Sequence, residues 1–178
     1  MVEKVVEQLI KQIEQWASDR NIIKGSKPID QAMKLFSEFG ELADNVGKGR
    51  DCRDDIGDCG VVLAIISAQL GETIADFCIE EIHYPYGDKS TVSELCGQLY
   101  EFVCHAKNGV FSENHLAWAL EFLHRIALNQ GSSLEECLQI AYDDIKHRKG
   151  IMANGVFIKE SDPVYAQVIS EIEGNYNA

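Results

Sequence analysis

Apolar residues recur at helical spacing along most of the chain. Val5, Val6, Leu9, Ile10, Ile13 and Trp16 repeat at three- and four-residue intervals and predict an amphipathic helix over residues 3–18. After the loop SDRNIIKGSKP, Pro28 suits the first turn of a helix that runs to about residue 46 and stops near Gly47 and Gly49. A third helix is expected from around Arg53 to Leu70, and a short one over 73–83. TVSELCGQLYEFVCHAK and SENHLAWALEFLHRIALNQ read as two more, joined around Asn108 and Gly109, with Ser93 and Ser112 at their starts. SSLEECLQIAYDDIKHRKG is another, capped by Ser132 or Ser133 and ended by Gly150. Beyond it, GVFIKESDPVYAQVI mixes a short extended piece with a last helix. No set of alternating runs builds a sheet, so the expected class is all-α, in one domain spanning 1–178.

Composition narrows the partners. The 178 residues carry a formal net charge of −13, which repels a nucleic-acid backbone. It does not exclude small phosphorylated substrates, because a divalent cation bridges carboxylates to phosphates. The start MVEKVVEQLIKQIEQW is charged and amphipathic rather than a signal peptide, and no apolar run reaches the ~20 residues that span a bilayer. The six cysteines form no C-x-x-C pair and read as small reduced core residues. These features together point to a cytoplasmic protein, with no membrane and no nucleic-acid partner.

The candidate chemistry lies in FSEFGELADNVGKGRDCRDDIGDCGVVLAIISAQL, residues 36–70. On a helical projection of 31–46, Ala32, Leu35, Phe36, Phe39, Leu42, Ala43 and Val46 share the core face. Gln31, Lys34, Glu38 and Glu41 form one stripe beside it, while Met33, Ser37, Gly40 and Asp44 point outward. GVVLAIISAQL is apolar almost all round, with Asp55 and Asp58 at the mouth of its helix, where the dipole tolerates negative charge. An antiparallel return through a short Gly-containing turn brings the two acidic pairs together. Four carboxylates without sequence-adjacent basic partners are best accommodated by a cation. Oxygen-only donors suit Mg²⁺, with Mn²⁺ able to substitute, and Mg²⁺ is at home on substrate phosphates. E-x-x-E and D-x-x-D pairs also occur on ordinary solvated helices, so each pair alone says little.

QAMKLFSEFGELAD followed by DDIGDCGVVLAII resembles the MazG-like all-α nucleoside triphosphate pyrophosphohydrolases. Their pattern is E-x-x-E, a spacer, then E-x-x-D on two antiparallel helices, with Gln and Lys upstream. Gln31 and Lys34 match the upstream pair, Glu38 and Glu41 the first acidic pair, and Asp55 and Asp58 the second. Ser37 stands where many members carry another Glu, and Asp55 replaces the commoner Glu. AYDDIKHRKGIMANGVFIKESD and EQWASDRNIIKGSKPIDQ resemble segments of phage-type members, among them enzymes selective for dGTP or dATP. The resemblance covers roughly 1–71 and 132–162, leaving 72–131 as a helical insertion.

It implies a MazG-like helical bundle and the reaction (d)NTP + H₂O → (d)NMP + pyrophosphate. It also implies a Mg²⁺ site at Glu38, Glu41, Asp55 and Asp58, with Glu38 or Glu41 acting on the attacking water. Lys34, Lys146, Arg148 and Lys149 are then candidates for phosphate oxygens, Trp16, Arg20, Asn21 and Asn154 for base or sugar, and Gln31 is a further substrate-binding candidate. The resemblance and the all-round apolar helix 55–70 both point to a homodimer or homotetramer.

Two rival readings use the same sequence. Glu80-x-x-His83 and Glu121-x-x-His124 have the E-x-x-H spacing of di-iron carboxylate bundles, with Glu41 and Glu101 as further ligands. That reading leaves Asp55 and Asp58 unexplained. His105, His115 and His147 form no His-Asp dipeptide and read as satisfied or exposed side chains. The third reading is a non-catalytic helical interaction module in which 55–70 is a dimer core.

Overall fold

A helix with no polar stripe must be surrounded, and the chain is wound around one. The computed structural model describes residues 2–77 and 87–176. The helices are α1 (Val2–Asp19), α2 (Ile22–Gly25), α3 (Pro28–Lys48), α4 (Arg53–Gln69), α5 (Asp88–Ala106), α6 (Glu113–Asn129), α7 (Leu134–Ile145) and α8 (Tyr165–Tyr176). A 3₁₀ turn at Ile74–Asp76 follows α4, and a hairpin of β1 (Gly150–Ala153) and β2 (Val156–Lys159) separates α7 from α8. The described chain is mainly helical, as the periodicity requires.

Helix α4 buries 12 of its 17 residues inside this one chain, against α1, α2, α3, α6 and α7. Its apolar surface therefore does not demand a second copy, and that ground for an oligomer falls away. The tightest pairing is α4 on α7. A Cβ added to Gly57 would stand 2.0 Å from the Cys137 carbonyl oxygen, so glycine is what lets the two backbones touch. Gly60 lies under Leu138 in the same seam.

Helices α5 and α6 form an antiparallel pair that packs on α3 and α4 and joins the same core through Leu95, Leu99, Phe102, Leu116, Ala119 and Leu123. Helix α5 begins at Asp88, five residues ahead of the start expected at Ser93. Thr91, in its first turn, donates to the Gly87 carbonyl. Ser112 and Ser133 precede α6 and α7 as expected, and Ser133 closes a capping box with Glu136. Of the short helix expected over 73–83, the 3₁₀ turn at Ile74–Asp76 lies among the described residues; the segment from 78 onward lies outside them. Cys52, Cys59 and Cys137 are buried free thiols, as expected of core cysteines, whereas Cys96 is exposed. Cys78 lies outside the described residues.

The short extended piece expected within GVFIKESDPVYAQVI is β2, and β1 before it, which was not expected, makes it a hairpin in an otherwise helical chain. Ala153 pairs with Val156 across Asn154 and Gly155, both at positive φ (51° and 78°). That is the two-residue turn for which Asn-Gly is the preferred dipeptide. β1 then docks on α2: the Met152 amide donates to the Arg20 carbonyl at 2.8 Å and Asn21 Nδ2 to the Met152 carbonyl at 2.9 Å. The Gly155 amide completes the seam by donating to the Gly25 carbonyl at 2.9 Å.

Candidate functional site

Helix α3 is rolled further toward its acidic side than the projection places it. Its buried residues are Gln31, Ala32, Leu35, Glu38, Leu42 and Val46, while Phe36, expected in the core, is 38% exposed. Glu38 is therefore buried rather than at an edge, and Lys34, one turn before it, closes an ion pair onto its Oε1. Glu41 remains exposed. Gln31 is buried and donates from Nε2 to Ser26 Oγ at 2.9 Å.

These residues line one wall of a cavity of about 550 Å³ between α1, α3, α4, α7 and the hairpin. One end is charged, with Glu38, Glu41, Asp54, Asp58, Asp144, Lys34 and Arg148. Away from it the lining is mainly apolar, with Trp16, Ile22, Val61, Val62, Ile65, Ile145, Met152 and Phe157, but Asp30 and Gln31 also line it and Asp30 lies against Gly155 of the hairpin. The split follows from α4 itself, which passes from acidic first turn to aliphatic body along one face. Asp54, Asp58, Val61, Val62 and Ile65 thus grade from carboxylate to hydrocarbon along the cavity wall.

The first two turns of α4 distribute their acids unequally. Asp54 and Asp58, four residues apart, share the cavity face. Asp55 is turned toward α3, where it is buried and accepts a hydrogen bond of 2.8 Å from Asn45 Nδ2. Asp55 is not among the residues that line the cavity, and Asp54 occupies that place.

Crowding of like charge shows in the proton affinities. Burial, then Glu38 and Asp54, push the Asp58 carboxyl up to about 7. Burial raises Asp54, helped by Asp144 and Glu38, and burial likewise raises Asp55 against the opposing Asn45 hydrogen bond. The balancing cations are largely committed: Lys34 to Glu38, and Arg148 to Asp144. A set of oxygen donors that line one cavity and are short of counter-charge has the chemistry to take a hard divalent cation. Among the described residues, however, the group of three whose ligand atoms all lie within 4.8 Å of one another is Glu101, His105 and His115, not the carboxylates of this cavity. Sharing one cation among three of these acids therefore requires side-chain rotation, with Glu38 released from Lys34.

The remaining expected site residues divide. Trp16 lines the cavity, and its Nε1–H is buried without a hydrogen-bond partner. Arg20 stacks over the Trp16 ring at 4.8 Å and donates to the carbonyls of Arg148 and Lys146, tying α1 to the end of α7. Its job, like that of Asn21, is to hold backbone. Arg148 reaches the cavity, but Lys146 pairs with Asp143 and Lys149 with Glu160, and neither lines it. Asn154 sits exposed in the hairpin turn, on the rim of a second cleft of about 520 Å³ that α8 also borders.

Asp54, Asp144, Met152 and Phe157 escaped the sequence reading. The i,i+4 spacing of Asp54 and Asp58 was a usable signal; the extended piece expected around Phe157 gave no indication of which cavity it would face. For the di-iron reading, Glu80 and His83 lie outside the described residues. His124, its other histidine, accepts the Leu134 amide at Nδ1 at 3.4 Å, which spends that nitrogen on the start of α7.

No protein-family profile and no solved structure matches the chain. Over 66 residues the chain is 50% identical to an uncharacterized 18.2 kDa protein from the rep-hol intergenic region of Haemophilus phage HP1. The match covers 36% of this chain and 40% of the phage protein. No helix among the described residues is long and apolar enough to cross a membrane.

Proposed function

We propose that the chain is a Mg²⁺-dependent nucleoside triphosphate pyrophosphohydrolase of the MazG-like type, converting a (d)NTP and water to (d)NMP and pyrophosphate. Purine deoxynucleotides such as dGTP or dATP are its favoured substrates. The observation that carries this reading is the cavity wall along α4, which passes from the carboxylates of Asp54 and Asp58 to the aliphatic side chains of Val61, Val62 and Ile65. Seven residues separate Asp58 from Ile65, about 10 Å along α4, which is the scale on which a nucleotide separates its phosphates from its base.

The donor set fits Mg²⁺, with Mn²⁺ as a substitute, and the residues that would hold it are Glu38, Asp54 and Asp58, with Asp55 behind them. When bound, the cation supplies charge neutralisation to phosphate oxygens. Lys34 and Arg148, freed from their carboxylate partners by the incoming charge, donate to the triphosphate. Glu41, exposed at the cavity mouth and without an ion-pair partner among the described residues, accepts the proton of the attacking water at a carboxylate oxygen. At the far end, the Trp16 ring, Ile65, Met152 and Phe157 cover the faces of the base.

The resemblance to the MazG-like enzymes supports the same chemistry, and the match to a phage protein supports a phage-type setting in the cytoplasm of a host. Pairing into a homodimer or homotetramer belongs to this proposal on that resemblance alone. Glu38→Gln tests the catalytic reading: turnover should fall to background with thermal unfolding unchanged. Retained Mg²⁺-dependent turnover in a folded Glu38→Gln protein would refute the assignment.

A further inference from the structure

We propose a second metal site, for a transition metal of the zinc class, formed by Glu101, His105 and His115 on the α5–α6 pair. It is independent of the pyrophosphohydrolase reading, since none of the three residues lines the acidic cavity.

Backbone geometry brings the three together. Glu101 and His105 stand one turn apart near the end of α5, on one face. The link to α6 is held by amides of Asn108 and Val110 donating to the His105 carbonyl, and by Gly109 at a φ of 75°. His115 enters in the first turn of α6, and its ring lies 5.6 Å from that of His105, tilted by 33°. One potential ligand atom from each of Glu101, His105 and His115 lies within 4.8 Å of the other two. Below them the pair is fixed by buried Phe102, Leu99 and Leu116, so the three ligands rest on rigid helix rather than on a loop.

Hydrogen bonds around the rings set which nitrogen of each carries the proton. His105 Nδ1 lies 2.8 Å from the Glu101 carbonyl oxygen, which can only accept, so that nitrogen bears the proton. His115 Nδ1 lies 2.8 Å from Gln98 Oε1, again an acceptor. Both rings are thereby held as the tautomer with a lone pair on Nε2. Metal-binding histidines are oriented in this same way, with the second ring nitrogen donating to a carbonyl or amide oxygen. Gln98, one turn before Glu101 on α5, is the positioning residue for His115.

Two imidazoles and one carboxylate are borderline-soft donors and select Zn²⁺, Co²⁺ or Ni²⁺ over Mg²⁺. Three protein ligands leave a fourth position to water. Both histidines are only half-buried, so solvent and metal have access. The site clamps α5 to α6, the pair within the segment 72–131 expected as a helical insertion.

The test uses the untagged full-length protein, stripped with chelator and titrated with Zn²⁺ against a colorimetric zinc indicator in excess Mg²⁺. The expected result is one Zn²⁺ per chain at this site. His105→Ala and His115→Ala should each weaken it by more than about 10-fold, as should the exposed, shape-conserving Glu101→Gln. Gln98→Leu should weaken it by about 10-fold while leaving circular dichroism unchanged. Cobalt in place of zinc should give a visible absorption band that the histidine variants lose. Absence of Zn²⁺ uptake, or uptake changed less than about 10-fold by both histidine variants in folded protein, would overturn the site. Uptake that persists unchanged in those variants assigns the metal to the cysteines instead.

Discussion

Asn45 donates a hydrogen bond of 2.8 Å to Asp55, holding that buried carboxylate against the last turns of α3. Its neighbours Asp54 and Asp58 face the cavity. The first two turns of α4 thus contain two kinds of carboxylate, one structural and two facing the proposed substrate. Asp54→Asn and Asp58→Asn should lower Mg²⁺-dependent turnover by about 100-fold with little loss of stability, as expected for removal of a charge that acts on the reacting phosphates. Asp55→Ala should instead cost about 1–3 kcal/mol of stability through the orphaned Asn45 and the emptied space. Steady-state kinetics paired with thermal unfolding separates the two. Equal stability losses at all three positions would contradict the division.

Asp58 also makes stability depend on pH. Its carboxyl is held up at about 7 in the folded chain, against an unfolded value of 3.8. Between these values the folded state binds more protons than the unfolded one, so stability falls as pH rises from about 4 to 7. Asp54 and Asp55, also raised, act in the same sense. Asp51, lowered to about 2 by Arg53, acts in the opposite sense but below this window. In chelator, the unfolding temperature should drop across pH 4–7, Asp58→Asn should flatten the drop, and Mg²⁺ should reverse it near pH 7. Cation binding near pH 6 should release protons, measurable by calorimetry in buffers of different ionisation enthalpy.

The α4–α7 seam predicts a large effect from a small change. Gly57→Ala places a methyl 2.0 Å from the Cys137 carbonyl oxygen, a contact that only helix displacement relieves. A loss of about 2–3 kcal/mol is expected, or an unfolding temperature lower by roughly 5–10 °C. Gly40→Ala, where an added Cβ meets nothing within 4 Å, is the control and should be neutral or slightly stabilising.

Trp16 offers a test of the apolar end. Trp16→Ala removes the aromatic ring that lines the cavity. KM for the preferred purine nucleotide should rise about 10-fold with kcat nearly unchanged, the signature of a contact made equally to bound substrate and transition state. An unaltered KM would place the base elsewhere.

Most of the helices were legible because their apolar stripes were wide and their breaks were marked by Pro28, Gly49, Ser112 and Ser133. The side on which α3 buries Glu38 was not. That orientation depends on α4 and the hairpin closing over the Gln31–Glu38 side, leaving Phe36 exposed, and no local period records it. The assignment of Asp55 over Asp54 failed to foresee Asn45, whose amide competes for one of two adjacent carboxylates. Lys146 and Lys149 looked like phosphate ligands because sequence shows charge but not the partner, and Asp143 and Glu160 satisfy them. The hairpin was signalled by Asn154-Gly155, but its flanks are four-residue strands, too short for a two-residue period to declare itself.

The cavity is proposed to cleave nucleoside triphosphates to monophosphate and pyrophosphate. The measurement that bears on it most directly is a product analysis of each (d)NTP with purified protein and Mg²⁺, resolving pyrophosphate from single phosphate. Stoichiometric pyrophosphate and monophosphate, fastest with dGTP or dATP and absent in chelator, is the expected result. Release of single phosphate, or no Mg²⁺-dependent hydrolysis of any nucleotide in the panel, would contradict it.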